Sequence, residues 1–407
     1  MHQITLAIAD YNAGRDPERL RRKLALIAAD PFAFMRGTCH LFYAGLSALP
    51  AAPVLRAAPR VWICGDLHLE NFGTFKGDNR LVYFDLNDFD ETCLAPFTLD
   101  LVRLAASIKV AAQSLRLGAR EGHALTALFF ASYASEAAAG KARWIERSTA
   151  GGMVRDLLRS LKLRTRAQLL DQRTVLRAKR RALRLDGSKA LPASTAQRKR
   201  AEALLADFAA KRRHPEFFEP MDLARRVAGN GALGMERYIA LVRGRGGQSG
   251  GPDGNFLMDI KCAAPSALKP RLTGPQPKWE SEARRVVTIQ TIVQAAPPAL
   301  LGTAALGGAS FLVKELQPAA DRLNLPLWNG RIKRLEQVIV AMAQVTAWGH
   351  LRGCGRLGAA TVEELAAYAV APHWQPELGA LAREAGAKVT EQWHAYAKDF
   401  RDGVVKV

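Results

Sequence analysis

Apolar residues recur at helical spacing through RLRRKLALIAAD and PFAFMRGTCHLFYAGLSAL, so residues 15–48 read as two helices, with Pro31 opening the second. After a Pro/Ala-rich stretch ending at Pro59, the apolar run 61–64 reads as a short buried strand. Residues 81–86 read as another strand, after a turn on Lys76-Gly77-Asp78-Asn79. From Thr98 to about Ala139 the pattern is helical, with Leu99, Leu101, Val102, Leu104 and Ala105 on one face. Between Phe217 and Leu316 alternation takes over. ARRVAGNGALGMERYIALVRG, a glycine-rich piece at 244–254 and FLMDIKCA predict strands divided by loops. A helix in PKWESEARRVVTIQTIVQAA and a strand in SFLVKEL follow, and the chain from Asn329 onward is helical in pattern.

A chain of 407 residues, 49% hydrophobic and 24% charged, is too long for one ordinary core and too apolar for wholesale disorder. No run of about 18 apolar residues predicts a membrane span, and the N-terminus lacks the basic start and apolar stretch of a secretory signal. Five scattered cysteines without a CxxC pair predict free thiols and a cytoplasmic location. Charge changes the picture most. With 58 Lys+Arg against 38 Asp+Glu, the net charge of +20 attracts nucleotides, phosphorylated substrates or other polyanions, unless the excess is simply solvated. Residues 151–213 alone hold 18 Lys/Arg against 5 Asp/Glu. This helix-prone stretch, with a turn at Asp186-Gly187-Ser188, is either a solvated helical hairpin or a lobe that meets a polyanion.

The densest chemistry lies in Gly65-Asp66-Leu67-His68-Leu69-Glu70-Asn71 and in Tyr83-Phe84-Asp85-Leu86-Asn87-Asp88-Phe89-Asp90. An Asp just past a strand, an Asn five residues on and an acidic group ending the next strand are what phosphoryl transfer requires. One Asp orients the attacking hydroxyl, while the Asn and a second Asp hold Mg²⁺ against nucleotide phosphates. Downstream, Gly229-Asn230-Gly231-Ala232-Leu233-Gly234 lies between strands, and Lys261 falls on the strand after next, where it would meet phosphate oxygens. Glu280 and Glu282, in the following helix, are its candidate acidic partners. The bland reading of this region is a β-hairpin with a surface lysine. Arg36 is a candidate phosphate or carboxylate contact, or else ties helix to loop through carbonyls or Asp88. His40 and His68 lack the flanking pattern of a zinc site. His350 reads as a helix-end cap and Cys354 as an unremarkable thiol.

GDLHLEN followed by YFD resembles the HGDLHxxN and IDW pair of aminoglycoside and choline phosphotransferases, which have the protein-kinase-like fold; Cys64 stands where that family has His. The resemblance implies Asp66 as catalytic base, Asn71 and Asp85 as metal ligands with Asp88 and Asp90 competing, and Asp100 in APFTLDL as a structural cap. Nearly the whole chain also resembles a bacterial family known as domain of unknown function 2252, through PFAFMRGTCHLFY, GDLHLENFGTF, FDLNDFDET, PFTLDLVRLAAS and RVAGNGALGMERY.

The expected fold is α+β and helix-rich, a kinase-like pair of lobes whose order is circularly permuted. In a kinase the Gly loop and Lys precede the catalytic loop, whereas here they follow it. Residues 1–150 would form the catalytic half, 151–215 a basic helical insertion, 216–317 the nucleotide-gripping β lobe, and 318–407 the helices completing the first half. The expected function is ATP/Mg²⁺-dependent phosphotransfer to a small-molecule hydroxyl. The alternatives are nucleotidyl transfer on the same fold, or a non-catalytic pseudokinase-like or nucleic-acid-binding protein.

Overall fold

The structure, a computed structural model, describes residues 2–48, 53–162, 164–178, 180–245, 251–318 and 321–405. Part of the glycine-rich piece at 244–254 therefore lies outside the described residues. The protein is α+β, about half of it helical.

Five helices open the chain: α1 (Gln3–Tyr11), α2 (Pro17–Ala29), α3 (Pro31–Gly37), α4 (Cys39–Ala48) and α5 (Pro53–Arg56). Asp16 and Asp30 each precede a proline, and each side chain accepts a bond from the backbone N–H three residues on, at 2.9 and 2.6 Å. The chain thus starts α2 and α3 by N-capping with proline in the first turn. Four short strands follow: β1 (Arg60–Ile63), β2 (Phe72–Lys76), β3 (Val82–Leu86) and β4 (Cys93–Pro96). β1 pairs with β4 and β2 with β3, both antiparallel. The loops 64–71 and 87–92 therefore leave the same ends of two adjacent ribbons. Residues 72–76 and 93–96 carried too little alternation to be predicted as strands.

Helix α6 (Thr98–Ala111) is buried on nearly every side, and α7 (Ala119–Ala139) packs beside it. The basic stretch departs from the helical expectation. It contains α8 (Gly152–Leu161), α9 (Arg166–Arg173), strands β5 (Thr174–Arg177), β6 (Arg180–Leu183) and β7 (Ala190–Leu191), and α10 (Thr195–Ala210). TVLR and RRAL pair as a hairpin, with Leu183 turned into an apolar cluster and Leu176 left outside. The Asp186 turn holds: its carboxylate accepts from the N–H groups of Ser188 and Lys189 at 2.8 and 2.6 Å.

A six-stranded antiparallel sheet then forms from β8 (Pro220–Arg226), β9 (Arg237–Val242), β10 (Phe256–Cys262), β11 (Gly302–Leu306) and β12 (Ala309–Glu315), with β7 at its edge. The order is β11-β12-β10-β9-β8-β7. Helix α11 (Glu282–Val293) lies between β10 and β11 in the chain, and α12 (Ile332–Gly353), α13 (Val362–Ala369) and α14 (Trp374–Arg401) end it.

Strand periodicity explains the two faces of the sheet. Phe256, Met258 and Ile260 of β10 point into a core shared with α10, as do Phe311 and Val313 of β12. Between them, Leu257, Asp259 and Lys261, with Leu312 and Lys314, take the opposite face. Near β6 and β7 that face is apolar, and towards α3 and the 64–71 loop it becomes charged. The main core joins α6, α7, α12 and α14.

Candidate functional site

One face of α6 supplies much of the support for the loop after β1. Asp100, Arg103 and Ser107, at i, i+3 and i+7, are all fully buried. Asp100 accepts from the N–H groups of Cys64 and Gly65 at 2.8 and 2.9 Å, so it caps the strand end. Ser107 Oγ accepts from Leu69 N–H at 3.2 Å, and Tyr43 donates to the Gly65 carbonyl at 2.6 Å. Gly65 has φ +78°, and a Cβ there would lie 2.3 Å from the Glu91 carbonyl oxygen. Only glycine makes this turn.

Arg103 binds the Oδ1 atom of Asp66 with Nε (2.7 Å) and a second guanidinium nitrogen, and Asp66 lines the cleft. Burial pushes the Asp66 carboxyl up to about 6 against the pull of Arg103. Asn71 donates to the Asp66 and Asp88 carbonyls at 3.2 and 3.4 Å, tying the two loops together.

These loops face the charged side of the sheet across a cleft of about 320 Å³. Asp66, Asn71, Asp88, Arg36, Gly229, Gly231 and Lys261 all line it, so most of the residues singled out in the sequence meet in one place. Nine Lys/Arg and six Asp/Glu line the cleft, so its lining carries a net positive charge. Burial raises Asp88, but Lys261 and Lys314 overcome this and hold its carboxyl below the ordinary range.

Four of the expected residues lie elsewhere. Asp85 points from β3 into the protein, where it accepts from the N–H groups of Leu86 and Ala295 at 2.8 and 3.0 Å and faces Arg352 at 3.8 Å. Asp88, past the strand end, takes the place in the cleft proposed for it. Glu280 is solvent-exposed near Arg284, and Glu282 pairs with Arg285 at 2.6 Å. Helix α11 instead presents Arg285 to the 87–92 loop, donating to the Asp90 carbonyl at 2.9 Å and to that of Thr92. The acidic partner of Lys261 is Asp90, in direct contact. Gly234 lies outside the cleft lining, and its carbonyl accepts from Asp16 N–H at 2.8 Å.

Several cleft residues were not anticipated. Lys314 sits directly across the ladder from Asp259, which itself is bracketed by Arg226 and Arg237. The two arginines hold Asp259 far below the carboxylate range despite its burial. Glu91 accepts from Ala267 N–H at 2.5 Å, and burial pushes it up to about 7. Alternation in SFLVKEL and MDIK could have placed Lys314 and Asp259 on the face of Lys261. The polar triplet on an otherwise apolar α6 could have disclosed Arg103. His68 is buried, with its Nδ1 accepting from Glu70 N–H at 3.1 Å, and His350 bonds Tyr133 at 2.8 Å and Asp100 at 3.3 Å rather than capping carbonyls.

A family model described as "Uncharacterized protein conserved in bacteria (DUF2252)" matches residues 15–399. The chain belongs to this family. No curated protein and no solved structure matches it. The span matched by the DUF2252 model contains every cleft residue except Tyr11, including both loops and the charged sheet face. Among the described residues no helix is long and apolar enough to cross a membrane, and all five cysteines are free.

Proposed function

We propose that this DUF2252 protein is an ATP/Mg²⁺-dependent phosphotransferase with a circularly permuted kinase-like arrangement of lobes. The observation that carries the reading is the convergence of Asp66, Asn71 and Asp88 with Lys261 and the 228–235 glycine-rich loop on one cleft, across as many as 195 residues of chain.

In this reading the loop amides and the lysines of β10 and β12 receive the nucleotide phosphates. Asp66 accepts the proton of the acceptor hydroxyl as its oxygen attacks the γ-phosphorus, and ADP departs. A carboxyl titrating near 6 is ionised at neutral pH yet basic enough to assist that transfer. Among the described residues no three His, Cys, Asp or Glu side chains form a metal cage. Mg²⁺ does not need one, since one or two protein oxygens, substrate phosphates and waters suffice, and Asn71 and Asp88 offer that set. There the ion would neutralise charge on the phosphates.

The test is calorimetric titration of ATP with and without Mg²⁺ on the wild type, Asp88→Asn and Lys261→Ala, followed by transfer assays with γ- and α-labelled ATP. Magnesium-dependent binding weakened about tenfold or more in both variants, about 1.4 kcal/mol each, supports the site. Label transferred only from the γ position supports phosphotransfer. Transfer from the α position means nucleotidyl transfer, binding without transfer means a non-catalytic protein, and no binding by the folded wild type overturns the reading.

A further inference from the structure

Two arginines of the cleft, Arg36 and Arg322, are not used by the proposed nucleotide grip. Arg36, at the end of α3, gives one nitrogen to Glu70 at 2.5 Å, and its side chain is only 13% exposed. Its Nε is buried without any hydrogen-bond partner. Arg322 lines the same cleft and forms no ion pair among the described residues. The charges that act on it are Arg36, Asp88, Glu70 and Arg237. Both arginines, with Arg103, also disfavour a charge on the buried His68, in the loop segment between Asp66 and Asn71.

The placement of Arg322 is built into the fold. Residue 322 bridges Gly73 of β2, and Thr74 Oγ1 donates to the Asp321 carbonyl at 3.3 Å. Arg164 grips the Asp321 carboxylate at 2.8 Å. A Cβ on Gly73 would lie 2.6 Å from the Asp321 oxygen, so the close approach that aims Arg322 at the cleft depends on glycine there. Two guanidinium groups in one cleft lining, one with an orphaned buried N–H and the other without an ion pair among the described residues, can hold an oxyanion through charge-assisted bonds.

We infer that Arg36 and Arg322 form an anion subsite beside Asp66, which selects an acceptor bearing a carboxylate or phosphate near its reactive hydroxyl. This deepens the phosphotransferase reading and rests on it for the word acceptor, though the anion site itself stands on the two arginines. The nucleotide phosphates are assigned to Lys261 and Lys314 in that reading, so the acceptor anion takes a different pair of cations in the same cleft.

The experiment is calorimetric titration of inorganic phosphate into the full chain, free and saturated with a non-hydrolysable Mg²⁺–ATP analogue, for the wild type, Arg322→Gln and Arg322→Lys. Arg322 reaches from an exposed position, and matching thermal unfolding curves verify that the variants fold. The expected result is one phosphate bound per chain with the analogue present, about tenfold weaker in Arg322→Gln and partly restored in Arg322→Lys. Loss of phosphate binding when the analogue is present means the pair reads the γ-phosphate, and the inference falls. It falls equally if Arg322→Gln binds phosphate as the wild type does, or if the wild type binds none. Phosphate binding that depends on Arg322 in a protein that ignores the analogue would sink the phosphotransferase reading and leave the anion subsite standing.

Discussion

Asp66 is a carboxylate under two opposed forces, burial and the fully buried Arg103, and the balance leaves it titrating near 6. As a base it must be ionised, so transfer activity should rise with pH through about 6. Removing the cation leaves burial unopposed. Arg103→Met should therefore move that rising limb to higher pH, and Arg103→Lys should move it less; initial rates from pH 5 to 8 measure both. Unmoved limbs would mean that Asp66 is not the titrating base. The same shift has a stability sign. The folded state holds this proton more tightly than the unfolded chain, whose carboxyl titrates near 3.8. Folding thus gains from Asp66 at low pH and loses that gain as pH rises through about 6, and Glu91 extends the loss to about 7. Urea midpoints across this range should fall less steeply in Asp66→Asn than in the wild type.

At the scale of elements, α6 is the part that holds the loop after β1 in place. Asp100→Ala would strip partners from two buried N–H groups, each costing about 1–3 kcal/mol. The expected loss is about 3 kcal/mol in urea unfolding, with Asp100→Asn, which keeps one acceptor, losing less. A loss under about 0.5 kcal/mol, the scale of ordinary surface changes, would show that the loop finds other support. This element also shows what the sequence discloses. The apolar spacing of TLDLVRLAAS predicts the helix, and GDLHLEN predicts the loop, because both are local patterns. The hairpin of β5 and β6 was hidden by its arginines, whose long stems suit a helix as well as a strand edge. Asp85 and Asp88 could not be told apart by spacing, because the end of β3 decides which carboxylate turns inward to Ala295 and which reaches the cleft.

Across the whole molecule, the pairings that build the site span most of the chain, and no local pattern encodes them. Lys261 meets Asp90 over 171 residues, and Arg15 meets Gly231 over 216. The motifs could thus name Lys261 and the glycine loop, but not the N-terminal helices that hold that loop. Arg15 donates to the carbonyls of Gly231 and Leu233 at 2.7 and 3.0 Å, and the fully buried Lys23 donates to Gly231 at 3.0 Å. Burial lowers both cations, and these carbonyl contacts, with the bond from Lys23 to Asn12 Oδ1 at 2.8 Å, give the buried N–H groups partners. A loop whose carbonyls are tied back in this way has its amides free to face a phosphate. Arg15→Ala should release one side of the clamp without opening the core, since Lys23 and the Asp16–Gly234 bond stay. Hydrogen exchange should then quicken in residues 228–235 and stay unchanged in α6, while Mg²⁺–ATP binding weakens with thermal stability nearly intact. Unchanged exchange in 228–235 would mean that the loop holds its shape alone, and that the N-terminal helices cover the cleft without ordering it.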